Sequence, residues 1–107
     1  MTGRRWQVRL RPDTKDDVAE VVAWYRSEAP EQVFRFRDEL QKALAAIGAY
    51  PFLYPQRVGL VRLYAMRVLP YGIWYVVDET ERMVHVLAVL HFRRDPATVQ
   101  ARVGQMP

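Results

Sequence analysis

Hydrophobic and polar positions alternate at the start of the chain, where Trp6-Gln7-Val8-Arg9-Leu10 reads as a short strand. Pro12-Asp13-Thr14 breaks that run, and the period then lengthens to that of a helix. Val18, Val21, Val22 and Tyr25 fall at i, i+3, i+4 and i+7, one apolar stripe. Thr14 and Asp17 have the spacing of a capping box, which predicts a helix start about Lys15. Asp16, Asp17 and Glu20 stand in its first turns, where the helix dipole favours acids. The helix should end near Ser27 or Glu28. Pro30 suits the first position of a second helix, with the stripe Val33, Phe36, Leu40, Ala43, Leu44 and Ile47. Gly48 is the expected C-terminal stop and Pro51 the exit. So short a link between two helices predicts an antiparallel hairpin.

After Pro55 the pattern becomes strand-like. Residues 58–69 are rich in Val, Leu, Tyr and Met, with Arg62 and Arg67 inserted. Residues 73–77 follow a Pro70-Tyr71-Gly72 break. Residues 83–90 follow a polar loop, 78–82, of hairpin length. These runs should pair as an antiparallel meander. Asp95-Pro96 offers a cap and a first-turn proline for a short C-terminal helix or tail. The expected fold is α+β: an N-terminal strand, then a helical hairpin packed on one face of a small antiparallel sheet. At 107 residues the chain, 1–107, is one domain's worth, too small for a cleft between two domains.

Composition narrows the chemistry. The absence of cysteine excludes a disulfide scaffold, a thiolate zinc site, an iron–sulfur cluster and a cysteine nucleophile, and fits a reducing cytoplasm. The longest uncharged run, residues 43–56, holds 14 residues with Gly48, Pro51 and Pro55 among them. A spanning helix needs about 20 apolar residues, so no membrane span is expected. The start of the chain lacks the apolar stretch of a signal peptide, so a cytoplasmic location is expected. The net charge is +4, and 14 of the 16 basic residues are arginine. Bases and acids balance through residue 39, so the whole excess lies beyond it. Arginine forks pair with phosphate or carboxylate, which points to an anionic partner; the plainer reading is a solvated surface.

Motifs for catalysis are scarce. His85 and His91 are the two histidines, and on one extended strand they would share a face about 20 Å apart. They could not chelate one ion, and neither a metal nor a cofactor is expected. The glycines are scattered, with no phosphate loop, and Ser27 lacks a nucleophile-elbow context. The acids of residues 13–39 read as solvated helix faces. Trp24-Tyr25 reads as packing rather than as a stacking platform. One cluster stands out. His91-Phe92-Arg93-Arg94 sets an imidazole, an aromatic ring and two guanidinium groups at the end of the most apolar strand, with Arg62 and Arg67 on a strand that could pair nearby. Such a set could neutralise a phosphodiester while histidine moves a proton. The alternative is that the arginines pair with Asp95 or helix-end carbonyls.

The order Val18…Trp24-Tyr25, Phe36…Leu40…Leu44, Pro51, Pro70-Tyr71-Gly72-Ile73-Trp74-Tyr75-Val76-Val77 and Val86-Leu87-Ala88-Val89-Leu90-His91-Phe92-Arg93-Arg94-Asp95-Pro96 resembles the RelE/ParE toxin superfamily, and most of all its ParE-like, plasmid-stabilisation branch. The resemblance implies the α+β fold above. It also implies a bacterial type II toxin, neutralised by a cognate antitoxin through an acidic or amphipathic segment and joined with it in a hetero-oligomer. ParE-like members inhibit DNA gyrase and block replication. RelE-like members cut mRNA in the ribosome, using basic residues with a Tyr or His near the C-terminal end. Here the last tyrosine is Tyr75, Phe92 lacks a hydroxyl, no Lys follows Lys42, and no Glu lies between Glu39 and Glu79. The gyrase reading makes Arg62, Arg67, His91, Arg93 and Arg94 target-binding residues and needs no catalysis. The nuclease reading makes His91 the acid or base, with Arg62, Arg67 and Arg93 neutralising the phosphate. A degenerate, non-toxic antitoxin-binding member is the third implication.

Overall fold

The computed structural model describes residues 5–92 and 96–104. Strand β1 (Gln7–Leu10) leads into helix α1 (Pro12–Glu28). A single 3-10 turn (Pro30–Gln32) then opens helix α2 (Val33–Ala49). Strands β2 (Gln56–Val58), β3 (Val61–Ala65), β4 (Tyr71–Asp78) and β5 (Met83–His91) follow, and helix α3 (Pro96–Gly104) completes the order. The five strands form one sheet in the order β1-β5-β4-β3-β2. β2 to β5 are antiparallel neighbours, as the meander predicts, and β1 lies parallel to β5. The α+β class and the helical hairpin are as expected. No helix among the described residues is long and apolar enough to cross a membrane.

The hairpin buries its stripe on one sheet face. Val22, Tyr25, Phe36, Leu40 and Ile47 pack there against Tyr71, Ile73, Tyr75, Val84, Val86 and Val89. The opposite face carries a smaller cluster of Val61, Leu87, Ala88 and Leu90, covered in part by Val99 of α3.

Four expectations are corrected. Residues 58–69 are not one strand: Gly59 turns at φ 54 between β2 and β3, and β3 stops at Ala65, which leaves Arg67 in the loop before β4. Tyr71 and Gly72 do not break the chain but begin β4. A Cβ at Gly72 would meet Leu63 Cδ1 at 2.7 Å, so glycine there lets the leucine and Trp74 close over the backbone. Gly48 is no left-handed stop; it lies inside α2, where its missing side chain admits β1, and Trp6 N donates to Gly48 O at 2.9 Å. Finally, α1 starts at Pro12, and its N-cap is Arg11 with no side-chain cap, so Thr14 and Asp17 are not a capping box. Both are buried and face β5.

That last correction explains how the sheet edge is closed. β1 pairs with β5 from Met83 to Val86 and ends there. The backbone of β5 continues past it with an open edge, whose polar groups need partners. α1 and α3 supply them. Arg11 N (3.2 Å) and Thr14 Oγ1 (2.7 Å) donate to Val86 O. Val89 N donates to Asp17 Oδ2 at 3.0 Å, and Arg102 Nη1 donates to Leu87 O at 3.1 Å. Among the described residues no buried side-chain polar atom lacks a partner.

Candidate functional site

The register of β4 against β5 slips where Trp74 faces Ala88 and Tyr75 faces Val86, leaving Leu87 as an extra residue. Such a bulge inverts the alternation beyond it. The expectation that His85 and His91 share a face is therefore overturned. His85 opens on the α3 side, in a groove with Val76 and Val103. His91 opens on the hairpin side, in a groove with Trp24, Val21 and Tyr71.

The His91 groove is shallow and open, with a volume of about 420 Å³. Its histidine is half-buried on a chain of aromatic contacts. The imidazole meets the Tyr71 ring edge-on at 5.6 Å, and Tyr71 packs on Phe36 at 5.6 Å and on Tyr25 at 6.4 Å. Burial, with Tyr25 alongside, pushes the Tyr71 phenol up to about 12. Trp24 forms the outer wall and is 57% exposed while resting edge-on against Tyr25, so one half of the expected packing pair is on the surface. Glu20 and Asp17 also line the groove. Asp17 departs from the solvated faces expected of the helix acids: it is 3% exposed and forms a two-pronged ion pair with Arg102, Oδ1 accepting from Nη2 at 2.9 Å and Oδ2 from Nη1. The carboxylate hydrogen bond holds the Arg102 guanidinium above its ordinary pKa. Lys42 pairs with Asp38 at 3.1 Å and Glu39 at 3.7 Å on the outer face of α2, in keeping with the solvated faces expected there.

The structure distributes the expected site residues unevenly. Arg67 is exposed on the loop between β3 and β4, at the same sheet end as His91, where Phe92 N donates to Pro70 O at 3.0 Å. Val68 and Phe92 are exposed beside it. Arg62 lies elsewhere. It faces Tyr75, four residues along β4 from Tyr71, about 13 Å at strand rise. There its Nη1 donates to Tyr54 O at 2.6 Å and Phe52 O at 3.2 Å, and its guanidinium lies 5.4 Å from the Phe52 ring centre. Arg62 is thus a clamp on the loop after α2. Arg93 and Arg94, and the Asp95 cap, lie outside the described residues. Reading the sequence passed over Asp17, Trp24 and Tyr71 as groove residues, and Arg102 as the partner of Asp17. The Thr-x-x-Asp spacing was the available signal, and it equally suits an edge-capping pair one turn apart on a helix face.

A model of the ParE toxin of type II toxin–antitoxin systems, parDE, matches residues 8–96. Three solved structures share the fold. One is the chromosomal ParDE system from P. aeruginosa, with a TM-score of 0.71 and 12% identity over 81% of this chain and 96% of that one. A mutant of the E. coli toxin RelE in the free state gives a TM-score of 0.68 and 13% identity over 97% and 100%. The toxin–antitoxin complex RelBE2 from Mycobacterium tuberculosis gives 0.56 and 19% over 85% and 94%. No curated protein matches the sequence.

Proposed function

The chain belongs to the ParE toxin family of type II toxin–antitoxin systems, and on that premise we propose that it binds and inhibits DNA gyrase through the sheet end that carries His91. Contact runs over the groove wall at Trp24, over His91, and over the neighbouring loop at Arg67. Arg93 and Arg94, which follow Phe92 in the sequence, are taken as target-binding residues in the same reading. A cognate antitoxin neutralises the toxin, in keeping with the toxin–antitoxin assemblies among its structural neighbours.

One observation carries the choice of a protein target over RNA cleavage. Among the described residues, the walls of the His91 groove hold two carboxylates, Asp17 and Glu20, and no arginine or lysine. Asp17 is neutralised by Arg102, but Glu20 would oppose a phosphodiester drawn to the imidazole. Arg62, which a phosphate-neutralising set would recruit, holds loop carbonyls instead. An open surface rimmed by exposed rings suits a protein partner, where aromatic and arginine side chains dominate binding. The second reading, a ribosome-dependent endoribonuclease, draws on Arg67 and His91 sharing one sheet end. In it, the substrate 2′-hydroxyl gives its proton to His91 and attacks the adjacent phosphorus, the bond to the 5′-oxygen breaks, and that oxygen leaves as a hydroxyl with a proton from water.

Pulse labelling of DNA and protein synthesis after tight induction separates the two. The gyrase reading expects DNA synthesis to fall first while translation continues. Translation falling first overturns it and makes His91→Ala the next variant to test for RNA cleavage.

A further inference from the structure

The groove of His91 and the docking surface of α3 lie on opposite faces of the sheet, yet one ion pair joins them around the edge of β5. We infer that Asp17 and Arg102 form a positioning pair that couples the seating of α3 on one face to the geometry of the His91 groove on the other. The inference deepens the target-surface reading and rests on it for its functional meaning. Its physical content stands on four contacts.

Arg102 comes from α3, on the side of Val99, Leu87 and Leu90. Its Nη1 reaches the bulge carbonyl of Leu87 at 3.1 Å and the Asp17 carboxylate. Its Nη2 meets Asp17 Oδ1 at 2.9 Å. Asp17 in turn accepts Val89 N at 3.0 Å, two residues before His91. The carboxylate is the hub: one partner belongs to α3, the other to the strand that aims the histidine. Its side chain is 2% exposed, so it has almost no water to replace a lost countercharge. A buried carboxylate deprived of its arginine keeps a charge with no counter-ion, and its movement toward solvent weakens its hold on Val89. Asp17 acts on the groove through the strand and is a positioning residue, not a contact residue.

The coupling makes a specific demand on the bulge. Among the described residues, β5 past Val86 has no strand on its α1 side, so side-chain hydrogen bonds take the place of a ladder there. The alternation of the last residues of β5, and with it the face on which His91 emerges, depends on those bonds.

Amide exchange and histidine ring resonances of the purified full chain test the inference. Arg102→Met is expected to speed exchange at Val89 about tenfold or more, the factor of one charge-assisted hydrogen bond, and to shift the His91 ring signals. Amides of Ile73 and Phe36 should stay unchanged. Val99→Ala, which loosens α3 without touching the pair, should move the same signals in the same direction to a smaller extent. The double variant Asp17→Asn/Arg102→Met removes the charge as well as its partner and should restore most of the Val89 protection. Changes confined to α3, with Val89 and His91 unmoved, overturn the coupling. So does failure of the double variant to recover protection while its unfolding midpoint recovers. Growth inhibition is scored separately. Coupling present with toxicity of Arg102→Met intact supports the positioning pair and overturns the His91 end as the target surface.

Discussion

The two ends of the sheet carry similar side chains and use them differently. At the end near the loop after α2, the aromatics and arginines interlock. Arg62 holds two loop carbonyls, the Tyr75 hydroxyl donates to Pro51 O at 2.7 Å, Phe52 meets the Trp6 ring edge-on, and Arg82 lies 4.3 Å over that same indole. At the His91 end, Trp24, Phe92, Val68 and Arg67 stand exposed around an open groove. The base of that end, Tyr71 on the aromatic core and Asp17 with Arg102, is locked. An arginine beside an aromatic ring is therefore no signature of a binding surface by itself. What separates the two ends is that the Arg62 guanidinium is bound to backbone carbonyls of its own chain, whereas Arg67, Trp24 and Phe92 stand exposed.

The sharpest way to break this contrast is to remove the locked base of the open end. Asp17→Ala strands Arg102 and the Val89 amide together, and should cost about 3–5 kcal/mol of folding free energy in urea titration. Alkaline pH probes both ends at once, since one buried phenol underlies each. Burial raises Tyr71 and Tyr75 to about 12 from 10.0, with Arg62 pulling Tyr75 partly back. The folded state thus holds these protons more tightly than the unfolded chain, so stability is fully present below about pH 10 and declines as pH rises toward about 12. The urea midpoint should trace that fall, and a flat profile would contradict the burial of both phenols. Arg62→Met comes next. It should lose about 1–2 kcal/mol through the two carbonyls it releases, with growth inhibition retained at matched protein level. Smallest in stability are Arg67→Ala and Trp24→Ala, each within about 0.5 kcal/mol of the parent. Their effect should appear instead as a gyrase-inhibition titration shifted by about tenfold. If Arg62→Met abolishes toxicity while folding normally, the anchored end is a contact surface too and the contrast fails.

Both helices, their shared stripe and the meander were legible in the sequence, because each depends on local period and on turn residues whose effect is local. What escaped was set by neighbours distant in the chain. Thr14 and Asp17 match a capping box by type and spacing, yet their partners, Val86 and Val89, lie 72 residues away. Tyr71-Gly72 after a proline reads as a turn until Leu63 is seen to need the space. A bulge has no residue signature in an apolar run such as Val86-Leu87-Ala88-Val89, so the face of His91 could not be read. Of the site itself, the sequence singled out His91 and Arg67 at one sheet end, while Arg62 was misplaced because 58–69 looked like one continuous strand.

The parallel pairing of β1 with β5 has a consequence for synthesis. The helical hairpin and the strands from β2 to β5 make contacts between near neighbours in the chain, which close quickly. β1 precedes the hairpin in the chain but finds its strand partner, among the described residues, in residues 83–86. Until that last strand has emerged, the N-terminal strand has no ladder to join, and Thr14 and Asp17 face no edge to cap. Nascent chains held on the ribosome should gain protease resistance abruptly, only once β5 has cleared the exit; gradual protection from the hairpin onward would argue otherwise. The His91 groove is therefore completed only when β5 pairs, after the helix that forms its outer wall.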